Sequence, residues 1–305
     1  MKEFEVVYLP IGVPTFHLES AEEQFRASRR MLKRICGQVT APDNMLLSIE
    51  LLAAFMDQTD PSLIILQNIT FANAAYTQEV LRRFPDVPIL LWGLREPVID
   101  GGRLRLNSLT GSYSAANTIR QYRKEPLDYV FGSPSEDKVI RKITAAIGAA
   151  ELKYSLKTLK LAQIGHTPQG FGFGRAGDLE MLRTFGVRLE SIEARELIDK
   201  ARSYTEEECL PYLEAAESRT VGLENTPEKN RIDFAHLFKA YSDYTRENNI
   251  GALASRCWPD FFTSYGTPVC TVISILNDIG VAATCHEATL NSLKGKKHYR
   301  PRGIN

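Results

Sequence analysis

The chain has 305 residues, 44% hydrophobic and 24% charged, with Lys plus Arg equal to Asp plus Glu at 37 each. That length suits two domains of about 150 residues, each able to bury a core, and the composition excludes a disordered or fibrous chain. A formal net charge of +0 leaves no global field to attract nucleic acid or an anionic membrane.

No apolar run approaches the roughly 18 to 20 residues of a membrane span, and residues 1–4 lead directly into a strand pattern rather than a signal peptide. A cytoplasmic protein is expected. The five cysteines are odd in number and contain no Cys-x-x-Cys pair, so neither a disulfide framework nor a zinc cluster is expected. Cys257, Cys270 and Cys285 stand in apolar contexts and read as packed thiols.

In chain order, residues 5–9 read as a strand, 19–35 as a helix with apolar positions at Phe25, Met31, Leu32 and Ile35, and 44–56 as a second helix. The run 63–66 is a buried strand, 72–84 a helix, 89–92 and 129–131 strands, and 135–152 a helix. Short apolar runs alternating with longer amphipathic segments are the pattern of βαβ units around a parallel sheet. Residues 153–158 break into a polar stretch that reads as a linker.

The pattern then begins again. Strands are predicted at 159–164, 187–192, 252–254 and 281–283, and helices at 178–185, 194–202, 205–218, 227–248 and about 269–278. The fold class expected is therefore α/β, with two tandem doubly wound, Rossmann-like parallel-sheet domains at residues 1–152 and 153–285, followed by an irregular basic tail at 286–305. Thr226-Pro227-Glu228 supports a helix start. Gly186 and Gly280 each fall between a helix and a strand, where a left-handed residue is cheapest for glycine.

Gly172-Phe173-Gly174-Arg175-Ala176-Gly177 has the dinucleotide-binding spelling, with Glu190 and Glu193 at a distance suited to a ribose. In a true fingerprint the first glycine follows the strand almost at once. Here His166-Thr167-Pro168-Gln169 intervene, which makes the match weak. Trp92 ends a strand, where an aromatic face can stack on a sugar; the other reading is a core tryptophan. His17, His166, His236, His286 and His298 show no metal spacing. Asp260, Asp278 and Glu287 are the acids nearest the carboxyl end of the second sheet.

Three segments carry a resemblance: Ala254-Ser255-Arg256-Cys257-Trp258-Pro259-Asp260-Phe261, the loop Ile164-Gly165-His166-Thr167-Pro168-Gln169-Gly170-Phe171, and the approach from Asn277 to Cys285. They resemble the L-fucose/L-arabinose isomerase family, whose pattern places a metal-binding Glu directly after the cysteine and a further C-terminal domain beyond it. The resemblance implies a metal-dependent aldose–ketose isomerase, acting on a small sugar as a homo-oligomer, with manganese as cofactor, Glu287 as catalytic and metal-binding group, and Trp92 as a substrate-binding residue. His286 occupies the place of the family's Glu, with Glu287 displaced by one, and a strand's alternation aims neighbouring side chains oppositely. The resemblance further implies a chain that stops where its chemistry begins, with the C-terminal family domain missing and the chain inactive alone. A non-catalytic sugar-binding or regulatory protein and an NAD-dependent oxidoreductase are the alternative readings; no nucleic-acid or membrane partner is expected.

Overall fold

The computed structural model describes residues 3–285. The chain divides after Tyr154 into two compact units, each built on its own four-stranded sheet.

In the first unit the strands β1 (Val6–Ile11), β2 (Leu63–Asn68), β3 (Ile89–Gly93) and β4 (Asp128–Phe131) pair in parallel in that order. Residues on alternate sides of each strand feed two different cores. Val6, Tyr8, Leu63, Ile65, Leu90 and Trp92 pack with α1 (Leu18–Cys36) and α5 (Asp137–Thr158), whereas Val7, Leu9, Ile64, Leu66 and Leu91 pack with α2 (Ile49–Met56), α3 (Ala74–Arg83) and α4 (Ser108–Tyr122). Strands buried on both faces account for their uninterrupted apolar runs, and each fully buried Leu or Ile contributes about 1.5–3 kcal/mol by leaving water.

Three departures from the sequence expectation have local causes. Residues 44–48 are not helical. The segment from Thr40 to Leu46 lies extended along the free edge of β1, Thr40 N–H donating to Val6 O at 2.9 Å and Leu46 N–H to Pro10 O at 2.9 Å. This makes the unit doubly wound, because the chain leaves β1 to one side and returns to β2 on the other. The helix α4 escaped prediction because its Ser, Thr, Gly and Asn content has weak helical propensity; Ala115 and Ile119 form it by packing on the sheet. Residues 153–158, expected as a linker, continue α5, since no Gly or Pro interrupts the chain between Gly148 and Gly165.

The second unit orders its strands β6 (Arg188–Ile192), β5 (Lys160–Ile164), β7 (Ala252–Ser255) and β8 (Ala282–Cys285), all parallel. One face is covered by α7 (Ala194–Ser203), α8 (Glu206–Glu217), α9 (Glu228–Glu247) and α10 (Cys270–Asp278), around Ile164, Leu253, Tyr241 and Phe261. The opposite face holds a smaller cluster of Leu159, Leu161, Met181 and Val187, with Met181 supplied by α6 (Asp178–Phe185). Gly186 at φ 73° and Gly280 at φ 93° occupy the left-handed region, as their positions between helix and strand require. Among the described residues no helix is long and apolar enough to cross a membrane.

Candidate active site

In the second sheet the chain leaves β5 toward β6, and β7 lies on the other side of β5. Loops that depart in opposite directions from neighbouring parallel strands open a crevice at the carboxyl edge, the usual ligand position of such sheets. The two loops that border it are Gly165 to Phe171, after β5, and Arg256 to Tyr265, after β7.

Those loops meet through one side chain. Arg256 is only 6% exposed; its Nη1 lies 2.9 Å from Nδ1 and 2.8 Å from Nε2 of His166, at most one of which can accept from it, and it donates to the His166 carbonyl at 3.2 Å. Its Nη2 is ion-paired with Asp260. The backbone braces the same junction, Arg256 N–H donating to Ile164 O at 2.9 Å. His166 is exposed, Asp260 is partly exposed and Trp258 is 57% exposed, so this edge presents an imidazole, a carboxylate and an indole face. Two donors remain without partners: Nε of Arg256 and the hydroxyl of Thr167, a residue 4% exposed.

Of the thiols beside this edge, Cys257 is packed as expected and Cys270 is not. Cys257 is buried, and its contact with Cys285 together with burial holds its thiol well above the usual range, so it is neutral and a poor nucleophile. Cys270 is exposed. Asp278 ends α10 and therefore stands at the amino edge, before β8, away from the crevice.

The carboxyl edge of the first unit is arranged differently. Trp92, considered above as a sugar-stacking residue, is fully buried and donates its indole N–H to Gly132 O at 2.9 Å; its ring has no open face. Glu96 accepts backbone N–H bonds from Arg105, Leu106 and Asn107 at 2.6, 2.9 and 3.0 Å, which seats the loop that leads into α4. Arg95 forks onto Glu136 at 2.8 and 3.1 Å, and that bond, with one from Ser133 N–H, holds the Glu136 carboxyl down at about 2.

The glycine-rich segment at 172–177 forms a short 3-10 turn and then the N-cap of α6. It lies well beyond the end of β5, so no strand-to-helix turn of the dinucleotide type is made. Among the described residues no three His, Cys, Asp or Glu side chains gather as a metal site. Glu287 and His286 lie outside the described residues. Two surface depressions of the second unit, of about 390 and 440 Å3, are lined by residues such as Glu190, Lys200 and Tyr244, and Arg202, Lys229 and His236; neither includes His166, Arg256 or Trp258.

No protein-family model matches the chain. It is 59% identical over 293 residues to a sulfoquinovose isomerase of Clostridium sp. (strain MSTE9), an alignment covering 96% of this chain and 65% of that protein. The chain is similar to sulfoquinovose isomerases. The sulfoquinovose isomerases of Priestia megaterium (strain ATCC 12872 / QMB1551) and Alkalicoccus urumqiensis are 33% and 31% identical over 93% and 92% of this chain, and 64% and 62% of their own lengths are covered. The chain thus spans slightly less than two thirds of the length of the relatives it matches. Their name places them with sugar isomerases, as the resemblance implied, but under a different sugar from fucose or arabinose. Among solved structures, a glucose-galactose binding protein from Geobacillus stearothermophilus aligns with 97% of the chain and 90% of its own at 13% identity and a TM-score of 0.23, too low to carry an argument.

The pairing of Arg256 with His166 was not legible beforehand. Both residues stood in segments singled out for their resemblance, yet 90 positions separate them, and only the strand order brings them together. Trp258 carried a readable signal, an aromatic just after an apolar strand, and it rather than Trp92 has the open ring.

Proposed function

We propose that this chain forms the two doubly wound domains of an aldose–ketose isomerase for a sulfoquinovose-type sugar, and that the aldose docks at the carboxyl edge of the second sheet. The observation that carries the reading is the 59% identity to a sulfoquinovose isomerase across 96% of the chain. Aldose–ketose isomerisation takes a proton from C2 of the open-chain sugar, passes through an enediol and returns a proton to C1. The C1 carbonyl becomes a hydroxyl and the C2 hydroxyl a carbonyl, with no net oxidation.

The chain's own described residues supply binding and orientation. Trp258 offers a flat apolar face to the C–H side of a sugar ring. Exposed His166 offers a polar ring to hydroxyls. Glu287 is the candidate for the proton-transferring carboxylate and for a ligand to manganese, which would polarise the sugar oxygens when bound. A cytoplasmic homo-oligomer is the setting the resemblance implies.

The test is to incubate the 305-residue chain with sulfoquinovose, and separately with fucose and arabinose, following sugar binding by saturation-transfer NMR and ketose formation by carbon NMR with manganese present. Saturable binding of sulfoquinovose supports the reading, and ketose formation shows that the chain suffices for turnover. Fucose or arabinose bound in its place would return the substrate to the fucose/arabinose type. No binding of any aldose overturns the proposal.

A further inference from the structure

We propose that Arg256 and Thr167 receive an anionic C6 substituent of the sugar, a sulfonate on the reading above, on which this inference rests. The starting point is an imbalance inside the crevice. Buried polar groups are nearly always hydrogen-bonded, and an arginine guanidinium carries five N–H donors in a fixed fork. Arg256 is 6% exposed. Its Nη1 is occupied by His166 and its Nη2 by Asp260, but Nε has no partner. One residue along from His166, the Thr167 hydroxyl is also buried without a partner. Two orphan donors therefore belong to the two loops that border one crevice, one of them on a cation.

The chemistry of the vacant edge selects the ligand. Nε and Nη2 form the side of a guanidinium that grips two oxygens of one oxyanion at once. A neutral hydroxyl would satisfy one donor; a sulfonate presents three equivalent acceptor oxygens and satisfies Nε, part of Nη2 and the threonine hydroxyl together. Such a group is also anionic at every working pH, so it offsets the cost of keeping the guanidinium out of water.

Asp260 explains how the empty site tolerates its cation. Its carboxylate, whose Oδ2 is buried and makes no hydrogen bond although the side chain as a whole is 30% exposed, neutralises Arg256 in the absence of ligand and has to turn aside when a sulfonate arrives. Charge is then balanced in both states: carboxylate on guanidinium without sugar, sulfonate on guanidinium with it. His166 keeps Nη1 in place throughout and is a positioning residue for the fork.

The experiment compares the 305-residue chain and its R256Q, R256K and T167V variants by isothermal titration calorimetry with three sugars: sulfoquinovose, 6-deoxyglucose, which lacks only the sulfonate, and glucose 6-phosphate. Charge-assisted bonds of this kind predict a preference of about tenfold or more for sulfoquinovose over 6-deoxyglucose in the unaltered chain. R256Q is expected to reduce that ratio to near one, with circular dichroism showing that it folds. R256K should keep part of the ratio and T167V should lose a few-fold of it. Comparable binding of glucose 6-phosphate would support an oxyanion site that accepts phosphate as well as sulfonate, and weak binding would assign it to sulfonate. A preference that survives R256Q overturns this inference alone and leaves the sugar-isomerase reading standing. If R256Q does not fold, an unchanged preference in both R256K and T167V overturns the inference in the same way. Failure of the unaltered chain to bind any of the sugars overturns both.

Discussion

Arg256 reaches His166 across 90 residues of sequence, its Nη1 lying 2.8 Å from Nε2 of the imidazole, and this contact ties the loop after β5 to the loop after β7. The contact lies where the strand order of the second sheet reverses. A sheet with this order opens its crevice between these two strands, so buried Arg256 lies at the floor of that crevice, with exposed His166 and Trp258 at its rim.

The loop before α4 depends on one carboxylate. Glu96 accepts three backbone N–H bonds, and bonds to a charged acceptor contribute about 1.5–3 kcal/mol each when well formed. E96A should release the segment that carries Arg103 and Arg105. Trypsin should then cut there at least several-fold faster than in the unaltered chain, with little change in circular dichroism. Equal cutting rates would show that the loop is held by other means.

An ionic cluster within α9 centres on a buried carboxylate and reaches the end of α7 through Tyr204. Asp243, with a side chain 6% exposed, is paired with Lys239 at 2.8 Å and with Arg246, and accepts from the Tyr204 hydroxyl at 2.9 Å. Although burial alone would raise the Asp243 carboxyl, these partners lower it, so it remains ionised. K239M leaves that charge short of a partner and is expected to destabilise the protein by about 3 kcal/mol. The double variant K239M/D243L should recover most of the loss in urea denaturation. If K239M costs nothing, Arg246 and Tyr204 suffice.

Glu136 gives a pH dependence with a defined sign. Its carboxyl is lowered to about 2 in the folded protein, first by the hydrogen bond from Arg95 and then by Ser133 N–H, against about 4.3 for an unfolded Glu. A depressed pKa contributes stability that is fully present above the unfolded value and is lost as pH falls from there toward 2. The gap in melting temperature between the unaltered chain and E136Q should therefore be constant from pH 7 to about 5 and close between about pH 4.5 and 2. A gap that does not change with pH would mean that the exposed Arg95–Glu136 pair adds nothing measurable.

Much of this architecture is readable from residue order alone. The helix α6 was predicted at 178–185, where the structure places it, because charged residues alternate with Leu179, Met181 and Leu182 and Gly186 ends the turn. The strands were legible as short apolar runs between polar segments. What escaped was tertiary in origin. Thr40 to Leu46 pairs with β1 although Pro42 and Asp43 give it little strand character, and α4 forms from Ser and Thr because the sheet beneath it supplies the apolar contact. The same limit applies to the site. Trp92 and Trp258 both end or follow apolar strands, and only packing distinguishes the one sealed under Gly132 from the one left 57% exposed.

Those two indoles are the chain's only tryptophans, and they report on the central claim directly. Trp258 should emit at long wavelength as an exposed indole and Trp92 at short wavelength as a buried one. Titrating the unaltered chain with sulfoquinovose should shift or quench the long-wavelength component saturably, and W258F should abolish that change while keeping the Trp92 emission. Saturable sugar binding by calorimetry with no change at Trp258, or an emission change that persists in W258F, would place the sugar away from the carboxyl edge of the second sheet and contradict the account.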